Sequence, residues 1–312
     1  MTAWRSTSAF SASLRRGALL PLIAAALLAA SACGQALACT LWSATGISAG
    51  GGTLLAKNRD YSPDSFGRLI LVRPANGLAY VGLFARVKNH EALVAGVNEA
   101  GVAMVSATAS SVPREARKPQ PGSVSPIRKA MTGAHSVDEV LANAGWISAH
   151  NPVFYMLSDA RRSAWVEVGP GGVTAVRKTG EGVLTHTNHY LSDTLAWANA
   201  IPGSSSLARQ ERVTRLLARA STFSLEDFQA ISRDKSGGPD NAIFRAGSSP
   251  ASTRTMATFL VRNVPDQPPT LLVSGFGDPS HPWNVRLVLD QAFWARAAAG
   301  TQEVLAQDAV TQ

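Results

Sequence analysis

From residue 39 onward the apolar positions fall in short strand-like runs, punctuated by glycine, proline and asparagine at hairpin spacing. The runs predict strands over 40–47, 52–59, 69–73, 79–84, 93–97 and 102–107. A proline-rich loop occupies 111–122, and helical spacing takes over at 125–132 and 136–144. The second of these helices opens on Ser136 and Glu139, the spacing of a capping box. Strand patterns resume at 153–157, 164–168, 173–178 and 183–187. An amphipathic helix fills 205–220, another starts near Ser224, and strands close the chain at 255–262, 270–275 and 285–289. Strand runs and helix runs are segregated, which predicts an α+β fold with largely antiparallel sheets. No internal repeat stands out.

The first 38 residues follow a different pattern. Residues 1–16 carry Arg5, Arg15 and Arg16 and no acid, 17–32 are apolar and rich in Leu and Ala, and Ala36-Leu37-Ala38 has the small-x-small form a signal peptidase reads. The expectation is a secretory signal over 1–38 and one domain over 39–312, exported to the periplasm or secreted. The apolar run is short for a membrane span, and no later stretch is long and apolar enough for one. A lipid anchor on Cys33 or Cys39 ranks behind, because Ala30-Ser31-Ala32 lacks the leucine such sites usually show.

Removing that leader changes charge and cysteine chemistry. Of 312 residues 274 remain, and losing three arginines takes the net charge from +8 to +5. The remaining cations are scattered, and the densest group, Arg114 to Lys118, is broken by Glu115. A solvated loop is the expectation there, with no nucleic-acid partner. Cys33 leaves with the leader, so Cys39 has no intramolecular partner and is a candidate reactive thiol.

Three motifs compete for chemistry. Gly46 to Gly50, GISAG, fits the G-x-S-x-G pattern of serine hydrolases, but that pattern works on a strand-to-helix elbow. Here more glycine and another strand follow, so a hairpin turn is expected. His186 and His189 would face opposite sides of a strand, and no further cluster completes a metal site, so no metal or cofactor is expected. The third is Cys39 itself. As a first residue it carries an α-amine of pKa about 7.7–8.0 beside its thiol, a base able to take the thiol proton. Asp60 ends the second strand, where it can orient that amine if the strand pairs back on the first.

The opening CTLWSATG…GGTLLAKNRDY, residues 39–61, resembles the start of the choloylglycine hydrolase group and its penicillin acyltransferase relatives, the cysteine-type N-terminal nucleophile amide hydrolases. GVNEAGVAM (96–104), VLTHTNHYL (183–191) and SSLARQERVTRLL (205–217) agree in order. The resemblance implies a four-layer αββα sandwich of two stacked sheets. It implies Cys39 as nucleophile, Asp60 as the acid holding the amine, and Asn188 as the side-chain donor to the oxyanion. A backbone N–H near Thr108 would be the second donor. Arg209 best matches the later site arginine, with Arg254 as competitor. One departure concerns specificity: the family usually has arginine where Lys57 stands and an apolar residue where Arg59 stands. Residues 57 and 59 share a strand face, so a cation still reaches the same side, but lysine lacks the guanidinium fork. Bile-salt-type specificity is therefore not expected. The resemblance implies hydrolysis of linear, non-peptide C–N bonds in a small-molecule N-acyl amide, through a thioester. Acyl transfer at the same site is the near alternative, and a non-catalytic lipid-anchored envelope binding protein the distant one. The oligomeric state is left open, a homo-oligomer included.

Overall fold

In the computed structural model the described residues are 1–2, 38–88, 90–117, 124–149, 151–296 and 298–309. Arg5, Arg15, Arg16, Cys33 and the Ala36-Leu37 part of the expected cleavage site lie outside them. Fourteen strands among the described residues form two sheets, every pairing antiparallel. The six-stranded sheet takes β1 (Ala38–Gly46), β2 (Gly52–Tyr61), β10 (Gly182–His186), β11 (Arg254–Asn263), β12 (Thr270–Gly275) and β13 (Trp283–Val288), in the order β10-β1-β2-β11-β12-β13. The eight-stranded sheet contains β3 (Ser65–Arg73), β4 (Tyr80–Val87), β5 (His90–Asn98), β6 (Ala103–Thr108), β7 (Val153–Ser158), β8 (Ser163–Val168), β9 (Thr174–Thr179) and β14 (Thr301–Gln307), in the order β14-β3-β4-β5-β6-β7-β8-β9.

The alternation of strand side chains produces three apolar layers. Between the sheets, Leu41, Leu55, Phe259 and Val273 meet Leu69, Leu71, Val81 and Val105. On the outer face of the six-stranded sheet, Trp42, Leu54 and Ala56 pack against Val213 and Leu217 of α4 (Ser204–Leu217) and Phe228 of α5 (Leu225–Ser232). On the outer face of the other sheet, Tyr80 and Met104 meet Ile127 and Met131 of α1 (Pro126–Gly133) and Val137 and Val140 of α2 (Val137–Ala142). Helices on both outer faces of two stacked sheets give the four-layer αββα sandwich that the resemblance implied.

The expected strands form with ends displaced by a few residues, and the exceptions have local causes. The expected helix over 136–144 breaks at Asn143 into α2 and α3 (Ala144–Ser148), where the Asn143 side chain donates to Glu139 O at 2.9 Å. Its capping box is half made. Ser136 Oγ accepts from Glu139 N, but the Glu139 carboxylate takes the amide of His135 instead. The reciprocal box forms at Ser224 and Asp227. Strand β14 carries no alternating apolar signal because it is a largely exposed edge, bulged between Val304 and Ala306. The GISAG stretch is a hairpin turn, as expected. Gly46 has φ 68°, and a Cβ there would meet the Glu181 carboxylate that accepts from Ile47 N.

Candidate active site

The register of β1 on β2 sorts the site onto two faces. Cys39 stands opposite Arg59 and Leu41 opposite Lys57, so these four face the gap between the sheets. Ala38 stands opposite Asp60 and Thr40 opposite Asn58, facing the helices. On the inner side Cys39 forms the wall of a cavity of about 200 Å³ with Lys57, Arg59, Asp60 and Tyr61. Ala85, His90, Ala92, Val94, Ser106 and Thr108 close it from the facing sheet. A larger cavity of about 640 Å³, near Asn263 and Trp294, lies toward the other end of β11. Among the described residues no Cys, Ser, Thr, His or Lys lines it.

Asn188, just beyond β10, connects the two sides. Its Oδ1 accepts from Cys39 N at 2.8 Å and from Arg209 Nη2 at 3.0 Å, while its Nδ2 donates to Thr108 O at 2.8 Å. Both ends of the amide are thereby fixed. Its own backbone is held too: Asn188 N donates to Ser206 Oγ of α4 at 2.9 Å, and Asn188 O accepts from Ser111 N. Arg209, fully buried on α4, donates through Nη1 to Cys39 O at 2.5 Å and to Thr40 Oγ1 at 2.8 Å. Burial brings its pKa down to about 10, although Asp60 opposes the shift. Between the two candidate arginines the geometry is one-sided. Arg254, half-buried at the first position of β11, donates to Pro250 O at 3.5 Å, whereas Arg209 bonds Cys39 O and Asn188 Oδ1 directly.

Asp60 is almost fully buried. Its Oδ1 accepts from Thr255 Oγ1 at 2.7 Å, and its Oδ2 has no hydrogen-bond partner among the described residues. Burial raises its pKa, while Arg209, Arg245 and the Thr255 hydroxyl pull it back. The Cys39 nitrogen bonds Asn188, not Asp60. Thr108 meets Asn188 through its carbonyl, whereas the resemblance pointed to a backbone N–H in this region. Lys57 donates to Val94 O at 2.9 Å, and burial brings its pKa to about 8 against the opposing pull of Cys39. Arg59 donates through Nη2 to Ser65 Oγ at 2.5 Å and lies over the Tyr61 ring, 4.8 Å from its centre. Its Nη1 has no hydrogen-bond partner among the described residues.

Two groups escaped the sequence reading. Arg245 is buried, its Nε and Nη1 have no hydrogen-bond partner among the described residues, and its backbone bonds Thr255 next to Asp60. Glu167, fully buried on β8, accepts from His186 Nε2 at 3.0 Å, Leu191 N at 2.5 Å, Ser192 N at 3.2 Å and Ser192 Oγ. A carboxylate inside an apolar strand such as SAWVEV is the signal that could have drawn attention to it. His186 is thus engaged with Glu167, and His189 Nδ1 lies 2.9 Å from Ser206 Oγ. Among the described residues no cluster of three or more His, Cys, Asp or Glu could hold a metal.

An αββα sandwich whose first central strand carries a cysteine at the inter-sheet cavity has the architecture of the N-terminal nucleophile amide hydrolases and acyltransferases. The family model for acyl-coenzyme A:6-aminopenicillanic acid acyl-transferase matches residues 47–267, and the chain belongs to that family. A variant of conjugated bile acid hydrolase from Clostridium perfringens shares the fold, with 12% identity and a TM-score of 0.50, covering 85% of this chain and 96% of the other. A second variant of that hydrolase is 13% identical with a TM-score of 0.49, covering 87% and 99%. No curated protein matches the chain.

Proposed function

We propose that the protein is exported, loses residues 1–38, and cleaves linear C–N amide bonds with Cys39 as an N-terminal nucleophile. The observation that carries the reading is the contact of Cys39 N with Asn188 Oδ1 at 2.8 Å, beside a cavity that the same residue lines. Cleavage after Ala38 would turn that amide nitrogen into an α-amine already held by Asn188. It would also remove Ala38, the cross-strand neighbour of Asp60, leaving the unpartnered Asp60 Oδ2 free to face the new amine.

The amine takes the thiol proton, and the thiolate, beside Lys57 and Arg59 in the same cavity, adds to the amide carbonyl. The oxyanion accepts from Asn188 Nδ2, which exchanges Thr108 O for the developing charge, and from a backbone N–H near Thr108. The ammonium then protonates the leaving amine, and a thioester remains on Cys39. Water, with the amine again as base, releases the acid. An acyl-accepting amine in place of water would give transfer, the alternative that the description of the family favours.

Intact-mass analysis and N-terminal sequencing of exported protein should give a terminus at Cys39. A terminus elsewhere, or a lipidated cysteine, removes the base and ends the mechanism. Cys39→Ser should fold and lose nearly all turnover, read on N-acyl amino acids, penicillins and acyl-homoserine lactones. Wild-type turnover in that variant would refute the nucleophile.

A further inference from the structure

The charges around Cys39 do not balance. Lys57 and Arg59 line the cavity directly, with His90 at its rim, while Arg209 and Arg245 lie behind it around Asp60. Among the described residues two buried carboxylates face these four cations, Asp60 and Asp308, and burial raises the pKa of both, while Glu167, buried as well, is taken up by His186, Leu191 and Ser192. Asp308, which faces Arg59, is occupied with the amides of Gly67 and Gly277 and the Trp283 indole. Even a Cys39 thiolate leaves an excess of positive charge. Buried cations without counter-charge are costly, and an anionic ligand beside them offsets that cost. Size adds a second limit. The cavity beside Cys39 is small, about 200 Å³ against about 640 Å³ for the one near Trp294, which favours a short acyl chain.

We propose, resting on Cys39 as the nucleophile, that this cavity takes a short acyl group ending in a carboxylate, with Arg59 and Lys57 selecting for it. The acyl side is chosen because it stays bonded to Cys39 through the thioester, whereas the amine must leave first. Ala85, Ala92 and Val94 flank the short methylene chain, and Arg59 and Lys57, which both line the cavity, meet the carboxylate.

The test has two arms. In the first, Cys39 of the full chain is alkylated with iodoacetate and with iodoacetamide, residue 39 is located by peptide mapping, and free cysteine at the same pH is the reference. The acetate-to-acetamide rate ratio should exceed that of free cysteine by about tenfold or more, and should fall toward it in Arg59→Met and Lys57→Met. A wild-type ratio at or below the reference overturns the inference without any appeal to catalysis. In the second arm, N-succinyl and N-glutaryl p-nitroanilides are compared with N-butyryl and N-valeryl p-nitroanilides. A hydrogen bond to a charged group corresponds to about ten- to hundredfold in kcat/KM in favour of the acids. Cys39-dependent cleavage with equal or reversed preference overturns the acyl class and leaves the nucleophile standing. No cleavage of the succinyl and glutaryl amides overturns it as well. Cleavage that survives Cys39→Ser refutes the reading beneath it.

Discussion

Asn188 uses one amide for two purposes, holding the nitrogen of residue 39 through Oδ1 and presenting Nδ2 beside the cavity. Asn188→Ala should lower kcat on the order of 10²–10³ with little change in KM, because the oxyanion bond strengthens only as charge develops. An equal rise in KM with kcat intact would make Asn188 a binding group instead. His189, one residue on, supports a separate prediction. Burial first, then the positive field of His186 and Arg209, brings its pKa from 6.5 to about 4. A histidine depressed in this way is neutral in the folded state. Its contribution to stability is whole above pH 6.5 and is lost as pH falls toward 4, by about 3 kcal/mol in all. His189→Gln should flatten the loss of stability across that window, measured by denaturant melts at pH 7 and pH 4.5. At this scale the sequence was only partly legible. Cys39 announced itself through its position, but the partners of Asp60, Thr255 and Arg245, come from far along the chain and are brought together by β2 pairing with β11.

Between strands, the turn after β10 is tied down by Glu167 rather than by its own sequence. The carboxylate gathers His186 from the end of β10 and both Leu191 and Ser192 from beyond Asn188, so it brackets Asn188 from both sides. Burial pushes its pKa up, but the bonds from His186, Leu191 and Ser192 outweigh that and hold it below its usual range. Glu167→Gln should reduce kcat by about 10–10² through misplacement of Asn188 while KM on the same amide holds. A purely structural role would lower the melting point and leave kcat of the folded protein unchanged. Most elements could be read in advance because strand alternation and glycine punctuation are local signals. β14 could not, since an edge strand that buries little needs no apolar pattern, and neither could the break at Asn143, where a side chain competes for a helix carbonyl.

Across the whole molecule, β2 is the divider. Its inner face gives Lys57 and Arg59 to the cavity, and its outer face gives Asn58 and Asp60 to the helix layer, where Asn58 Nδ2 donates to Ser232 O and Ile243 O. Side chains on a strand alternate, so the face on which Cys39 falls depends on the number of residues between it and the hairpin at Gly46. The gene therefore encodes the site partly as a length. One codon added between residues 40 and 42 should leave the sandwich folded yet turn the thiol toward the helices, abolishing both amide cleavage and alkylation from the cavity. Two added codons should restore the face but carry the thiol about 6–7 Å past Asn188, so turnover should stay low while alkylation partly returns. Substitutions along β1 can be absorbed one at a time; insertions cannot, and variation in this segment should be confined to residue identity.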